Sequence, residues 1–309
     1  GTAPVQPTVD ELRNVYRFDS IDRDTQVYGV VGWPVEHSRG PEVHNAGFDA
    51  INFNGVYIPL PIMPEWEQFK ASMVAMIDHQ NLDFKGCSVT LPHKENLLRL
   101  VRERDGIIDD HSRRIGAANT LMISDDGQLS CFNTDAPAAL EALYEGMSAD
   151  ASGLVGRTIL ILGAGGVARA VASGILESGG RVLILNRTKD RAEDLVSDFR
   201  NGESDIQAVT ESDLKHYEVD VIINCTSVGM EGGSASEDSP VPNQLSITES
   251  MVVFETVYTP IETPLVKQAR ASGATVITGD ELFLRQAKKQ FRIWTGVDLP
   301  LAFAKDATT

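Results

Sequence analysis

Basic residues are scarce in this chain: 27 Lys and Arg stand against 44 Asp and Glu, a formal net charge of −17. Nucleic acids and anionic membranes are held largely by Lys and Arg neutralising phosphate, so this balance argues against both as partners. An anionic ligand would have to meet positive groups gathered locally. Cysteine is also rare. Cys87, Cys131 and Cys225 are odd in number, widely spaced and without a Cys-x-x-Cys pair. Neither a disulfide framework nor a metal site is therefore expected, and a reducing compartment, the cytoplasm, fits best. No uninterrupted apolar run approaches the ~20 residues that a bilayer-crossing helix needs, so no membrane span is expected. The start, Gly1-Thr2-Ala3-Pro4-Val5, lacks both Met and the basic-then-apolar order of a secretory signal. We therefore expect no export, and a chain cut from a longer context. No repeat of solenoid period is present.

What remains is ordinary globular composition spread over 309 residues. That length exceeds what one core usually organises, so two domains with a site in the cleft between them are expected. Strand patterns at residues 26–31, 56–60 and 86–91 alternate with helical ones at 41–50, 65–77 and from Pro92 onward, which implies a mostly parallel, covered sheet. Asp125-Asp126-Gly127 marks a hairpin between strands at 120–123 and 128–132. A second alternating series follows, with strands at 158–162, 181–186, 219–224 and 251–257 and helices at 167–178 and 189–199. It reads as a nucleotide-binding α/β domain. Residues 231–242, rich in Gly, Ser, Glu and Asp, read as a mobile surface loop. Amphipathic helices are expected at 279–294 and 299–304.

Gly163-Ala164-Gly165-Gly166-Val167-Ala168 fits G-x-G-x-x-A, directly after one strand and before one helix. In that setting Gly163 permits the tight turn, Gly165 lets the backbone approach a pyrophosphate, Ala168 allows close packing and the amides at the helix start face the anion. A Gly-rich turn that merely joins strand to helix would use the same residues. Cofactor choice falls to the end of the next strand, where an Asp or Glu would bind the ribose of NAD. Here stand Asn186-Arg187-Thr188. Arg187 can stack on adenine and pair with a 2′-phosphate, Thr188 can donate to it, and Lys189 and Arg191 add positive charge, so NADP is expected. Thr188 would equally cap the following helix, leaving Arg187 solvated.

Lys94 closes Ser88-Val89-Thr90-Leu91-Pro92-His93-Lys94, where a strand ends and Pro92 opens a helix. Its ammonium then lies in a first turn whose dipole disfavours a cation. Acid–base work at a carbonyl or alcohol asks for a lysine that yields and recovers a proton readily; an ordinary solvated lysine is the other reading. Asp135 alone reads as an N-cap, and paired with Lys94 as the group that orients the ammonium. Asn119 and Gln286 are neutral groups suited to bonding hydroxyls, although spacing alone puts neither in a cleft.

At this point the residues resemble the shikimate dehydrogenase family along nearly the whole chain. His37-Ser38-Arg39-Gly40-Pro41 with His44-Asn45 is similar to its carboxylate-binding loop, Val89 to Lys94 to its catalytic lysine motif and Gly116-Ala117-Ala118-Asn119-Thr120 to its substrate-binding segment. Asn133-Thr134-Asp135 resembles its catalytic Asp motif. Asn224-Cys225-Thr226-Ser227-Val228-Gly229-Met230 resembles the segment near the nicotinamide ribose, and Tyr258-Thr259-Pro260, Gly279 and Gln286-Ala287 its closing segments.

The resemblance implies an α/β architecture: a substrate domain over residues 1–133, completed by C-terminal helices in 279–309, and a Rossmann-like NADP-binding domain over 134–278. It also implies reversible reduction of 3-dehydroshikimate to shikimate by NADPH. Lys94 and Asp135 would be catalytic; Ser38, Gly40, Ser88, Thr90, Asn119, Tyr258 and Gln286 would hold substrate. Residues 163–168, 186–188, Arg191, Thr226, Ser227 and Gly279 would hold cofactor. Residues 3–18 resemble the junction in the bifunctional dehydroquinate dehydratase/shikimate dehydrogenase proteins of plants, so an upstream dehydratase is expected.

The chain departs from the family at Gly40, where a second serine is usual. A donor is lost there and space is expected to open, enough to admit the tetrahedral C1 of quinate, which makes quinate the alternative substrate. A lost hydrogen bond to a carboxylate is worth ~1.5–3 kcal/mol. A reading from another class, a ligand-sensing module without catalysis, is countered by the presence of both Lys94 and Asp135.

Overall fold

The computed structural model describes residues 7–35, 38–147, 151–200 and 204–300. They divide into two units. The first runs to Thr134 and resumes at Gln286; the second is Asp135–Arg285. The sequence put these divisions at 133/134 and 278/279; in the structure the later one falls inside a helix.

In the first unit, β1 (Gln26–Gly32), β2 (Gly55–Pro61), β3 (Phe84–Val89), β4 (Ile107–Ile108), β5 (Thr120–Ile123) and β6 (Leu129–Phe132) form one sheet, ordered β2-β1-β3-β5-β6-β4. β2, β1 and β3 run parallel, whereas β5 is antiparallel to β3 and β6, so the sheet is mixed. The hairpin turns where Asp-Gly predicted it, with Gly127 at φ +83° and its N–H donating to the Ser124 carbonyl at 2.9 Å. The helices are α1 (Val9–Asn14), α2 (Gly40–Ala50), α3 (Trp66–Ile77), α4 (Lys94–Glu103) and α5 (Asp110–Ile115). Leu97, Leu98, Leu100 and Val101 of α4 are buried with Val31, Cys87, Val89 and Leu121 of the sheet. Each such side chain removed from water contributes roughly 1.5–3 kcal/mol.

One expectation fails at α4: Pro92 does not open it. A turn closes first, with the His93 N–H donating to the Thr90 carbonyl at 2.9 Å, and the helix starts two residues later at Lys94.

The second unit holds α6 (Asp135–Gly146), β7 (Thr158–Leu162), α7 (Gly166–Glu177), β8 (Arg181–Leu185), α8 (Lys189–Phe199), β9 (Ile206–Ala208), β10 (Val221–Asn224), β11 (Val252–Glu255), α9 (Pro264–Ala271) and β12 (Thr275–Ile277). Its sheet is parallel throughout, in the order β12-β11-β10-β7-β8-β9. The strands fan out in both directions from β7 and β10, which is the Rossmann-like arrangement, and ligands bind such sheets where the direction of winding reverses. Both faces are covered. Ile159 and Ile161 of β7 enter one core and Leu160 and Leu162 the other, which is why that strand reads as an unbroken apolar run.

The last helix, α10 (Gly279–Thr295), holds the second division between units. Of the short helix expected at 299–304, Leu299 and Pro300 are not helical and 301–304 lie outside the described residues. Residues 231–242 carry neither helix nor strand. Among the described residues no helix is long and apolar enough to cross a membrane, and no cluster of His, Cys, Asp and Glu could hold a metal.

Candidate active site

In the first unit, side chains of β2, β3, β5 and α10 are linked by a row of hydrogen bonds. The Tyr57 hydroxyl donates to Ser88 Oγ at 2.7 Å, and Ser88 donates to Gln290 Oε1 at 2.8 Å. Gln290 Nε2 donates to Thr120 Oγ1 at 3.1 Å and to the Asn119 carbonyl at 3.3 Å. Asn119 Nδ2 donates to Thr134 Oγ1 at 3.0 Å and Gln286 Oε1 at 3.3 Å, and Asn119 Oδ1 accepts the Thr134 N–H at 2.9 Å. The structure thus brings Ser88, Asn119 and Gln286 into one network. Sequence reasoning missed two of its members, Tyr57 and Gln290, although Gln290 stands one helical turn beyond Gln286 on the same face.

Lys94 is 7% exposed and is the first residue of α4. Its carbonyl accepts the Ala118 N–H at 3.0 Å, while Asn133 Nδ2 donates to the Ala117 carbonyl at 3.0 Å. The segment 117–119 is therefore flanked by Lys94 on one side and by Asn133 and Thr134 on the other. Asp135, buried, is the next residue and the first of α6, not the residue that caps it. Thr90 is half-buried, with its N–H donating to the Val31 carbonyl at 2.8 Å and its methyl against Gly32. Its hydroxyl bonds no described residue, so it is available to a ligand.

The loop before α2 overturns one expectation. Ser38 Oγ accepts the Gly40 N–H at 3.2 Å, but Gly40 opens no space. A Cβ there would stand 2.9 Å from Tyr57 Cε1 and 3.1 Å from the Tyr57 hydroxyl. The glycine is needed to admit the tyrosine. His44 and Asn45, matched to the same loop, act from behind it. His44 is buried, stacks on the Tyr57 ring at 4.5 Å, and is pushed down to about 3 by burial, hence neutral. Asn45 accepts the Tyr57 N–H and donates to its carbonyl, both at 2.7 Å. His37 lies outside the described residues.

In the second unit a groove of about 690 Å³ is lined by Gly163, Ala164, Gly165, Asn186, Arg187, Lys189, Thr226 and Ser227, among others. Gly163 has φ +108°, a left-handed conformation that side chains rarely adopt, and a Cβ there would lie 3.0 Å from the Cys225 carbonyl oxygen. At Gly165 a Cβ would meet nothing within 4 Å, so the backbone is open to an approaching group. Gly165 caps α7 without a side-chain bond, leaving the helix's first amides for a ligand. Gly166 and Val167 begin the helix, and Ala168 is buried in the core against it.

Thr188 occupies the N-cap position of α8, but its side chain makes no capping bond. Arg187 is exposed and, among the described residues, has no ion-pair partner. Lys189 is spent on Glu193 at 2.9 Å. Thr188 and Arg191 do not line the groove, whereas Thr210 and Glu211, which the sequence reading passed over, do. Elsewhere in this unit the Tyr258 ring stacks on Phe283 at 5.2 Å. A Cβ on Gly279 would fall 2.2 Å from the Val257 carbonyl oxygen, so that glycine is required by close backbone packing.

Comparison with known proteins adds the following. Residues 30–121 match the shikimate dehydrogenase substrate binding domain and residues 147–231 the family described as shikimate / quinate 5-dehydrogenase. A shikimate dehydrogenase (NADP(+)) of Methanocella arvoryzae is 41% identical over 276 residues, covering 89% of this chain and 95% of that protein. The chloroplastic bifunctional 3-dehydroquinate dehydratase/shikimate dehydrogenase of Arabidopsis thaliana is 36% identical over 313 residues, covering 97% of this chain but 49% of that protein. The chain therefore spans about half the length of the plant relative. A crystal structure of shikimate dehydrogenase in complex with NADP+ superposes with a TM-score of 0.79 at 33% identity, covering 93% of this chain and 96% of the other.

Proposed function

The chain belongs to the shikimate dehydrogenase family, and we propose that it reversibly reduces 3-dehydroshikimate to shikimate with NADPH. The observation that carries the assignment of roles is the flanking of segment 117–119 by Lys94 and by the stretch that leads into Asp135. The first unit is the substrate domain in this reading, and the second the NADP domain.

The groove of the second unit fits a dinucleotide phosphate. Gly163 to Gly165 and the bare start of α7 would hold the pyrophosphate, Arg187 with Asn186 the 2′-phosphate, with Thr188 beside them at the start of α8 but outside the groove lining, and Thr226 and Ser227 the ribose next to the nicotinamide. When bound, the nicotinamide supplies or accepts the hydride. Lys94 does the rest of the bond-making chemistry: it gives a proton to the oxygen as the carbonyl becomes a hydroxyl, and takes it back in the reverse direction. Asp135 is its acidic counterpart. The hydroxyls of Ser38, Ser88 and Thr90 and the amides of Asn119 and Gln286 hold carboxylate and ring hydroxyls, and Tyr258 is assigned to substrate as well. Gly279 serves the cofactor side through the backbone it packs on.

Quinate is the second reading, supported by the match of residues 147–231 to the shikimate / quinate 5-dehydrogenase family rather than by Gly40, whose space Tyr57 fills. An upstream dehydratase belongs to this proposal too, on the strength of the half-length match to the plant bifunctional relative. The three cysteines, none of them in a disulfide, support a reducing compartment, and we assign the cytoplasm.

The test is NADPH formation from NADP+ with shikimate, run beside quinate and beside NAD+. Lys94→Ala should lower turnover by roughly 10²–10⁴ while leaving NADP+ affinity intact. Silence of the unaltered chain with both acids, while NADP+ binds, would refute the dehydrogenase assignment in favour of a sensing module.

A further inference from the structure

Glu255, at the end of β11, is 0% exposed, as are Asn224 and Thr263 beside it. Its partners among the described residues are all neutral donors. Oε1 accepts Asn224 Nδ2 at 2.8 Å and the Val257 N–H at 2.9 Å, and Oε2 accepts the Thr263 hydroxyl at 2.9 Å. Among the described residues no cation pairs with Glu255. Burial accordingly pushes this carboxyl up to about 7, against the pull of its donors. A buried acid without a counter-ion is costly to keep, and a hydrophobic side chain of similar size would usually suit a core better.

What those bonds reach explains the cost. Asn224 Oδ1 accepts the Thr226 N–H at 2.9 Å and its hydroxyl at 2.6 Å, and Asn224 Nδ2 also donates to the Val228 carbonyl at 3.2 Å. The Thr226 hydroxyl oxygen in turn accepts the Val228 N–H at 3.1 Å. The turn from Cys225 to Val228 thus takes three hydrogen bonds from one amide side chain, and that side chain is held by Glu255. These four residues form one wall of the groove, and the Cys225 carbonyl lies against Gly163. Through the same oxygen Glu255 also holds Val257, whose carbonyl is the surface on which Gly279 packs.

We propose that Glu255 is a positioning residue for the dinucleotide, acting through Asn224 on the 225–228 wall of the groove and through Val257 on the backbone beneath Gly279. It touches neither substrate nor cofactor. The proposal rests on the reading of the groove as the NADP site.

Three single variants and one double variant test it, with NADP+ affinity measured by calorimetry, Michaelis constants for both substrates and a thermal melt. Glu255→Ala removes the acceptor for three donors, and NADP+ should bind about tenfold or more weakly, while the KM for the acid at saturating NADP+ stays within about twofold. Glu255→Gln keeps one acceptor oxygen for Asn224 and Val257 and should restore affinity to within about threefold. Asn224→Ala cuts the link to the turn. It should reproduce the loss even if Glu255→Ala does not fold, and where both fold the double variant should lose no more than either alone. A folded Glu255→Ala or Asn224→Ala chain that binds NADP+ within twofold of the unaltered protein overturns the proposal. So does an equal loss in cofactor affinity and acid KM, which a purely structural role would give. Failure of the unaltered chain to bind NADP+ would instead sink the reading of the groove.

Discussion

Serine at position 40 would restore the usual residue of the family's loop and, by the packing seen here, should harm the protein. Its Cβ would stand 2.9 Å from Tyr57 Cε1, 3.1 Å from the Tyr57 hydroxyl and 3.3 Å from Ser38 Oγ. The ring has little freedom to give way. Its hydroxyl donates to Ser88 at 2.7 Å, its face stacks on His44 at 4.5 Å and Trp294 lies 5.9 Å off. Overpacking of this kind costs about 1–3 kcal/mol, and the better helix propensity of Ser at the first residue of α2 offsets at most about 0.5 kcal/mol. A net loss of about 1–2 kcal/mol is expected for Gly40→Ser. The assay is convenient, because all three tryptophans, Trp33, Trp66 and Trp294, belong to the first unit. Urea unfolding followed by tryptophan fluorescence therefore reports on that unit alone. Tyr57→Phe, by deleting the hydroxyl, should return part of the loss in the double variant. A Gly40→Ser chain as stable as its parent, with a lower shikimate KM, would refute the packing argument and reinstate Gly40 as a simple missing donor.

Two further outcomes follow from the second unit. Arg187→Ala should weaken NADP+ binding by about 10–100-fold through loss of a charged hydrogen bond, and leave NAD+ binding within about threefold; equal losses for both cofactors would remove Arg187 from phosphate recognition. Because Glu255 is raised from 4.5 to about 7 in the folded chain, it favours folding fully below pH 4.5, and that contribution is lost as pH rises through about 7. Relative to Glu255→Gln, the unaltered protein should therefore lose about 3 kcal/mol of stability between those limits. A stability difference that stays flat with pH would contradict a carboxyl buried without a cation.

Much of this fold could be read from sequence because its signals are local. The strand 158–162 and the helix 189–199 have the bounds predicted, since an apolar run between Arg157 and Gly163 and a clean helical period leave little choice. β4, two residues long, and β9, three, carry too short a pattern to register, and both owe their state to pairing with β6 and β8. The start of α4 was misplaced because Pro at a helix start is a strong general signal, which a turn closed from Thr90 to His93 overrides. In the site, Lys94, Asn119 and the 163–165 loop were legible as motifs. Tyr57 was not, because nothing in its own strand marks it; its meaning lies in the glycine seventeen residues earlier. Glu255 was equally silent, since an acid at a strand end looks solvated until Asn224 and Thr263 are seen around it.

The pairing of Gln286 with Gln290 ties chain length to recognition. Four residues advance a helix by slightly more than one turn, so both amides reach the same edge, one at Asn119 and the other at Ser88 and Thr120. Adding or deleting a single residue between them would rotate one by about 100° away from its partners. Side chains at 287–289 can therefore change while these bonds persist, but the number of residues between the two glutamines cannot.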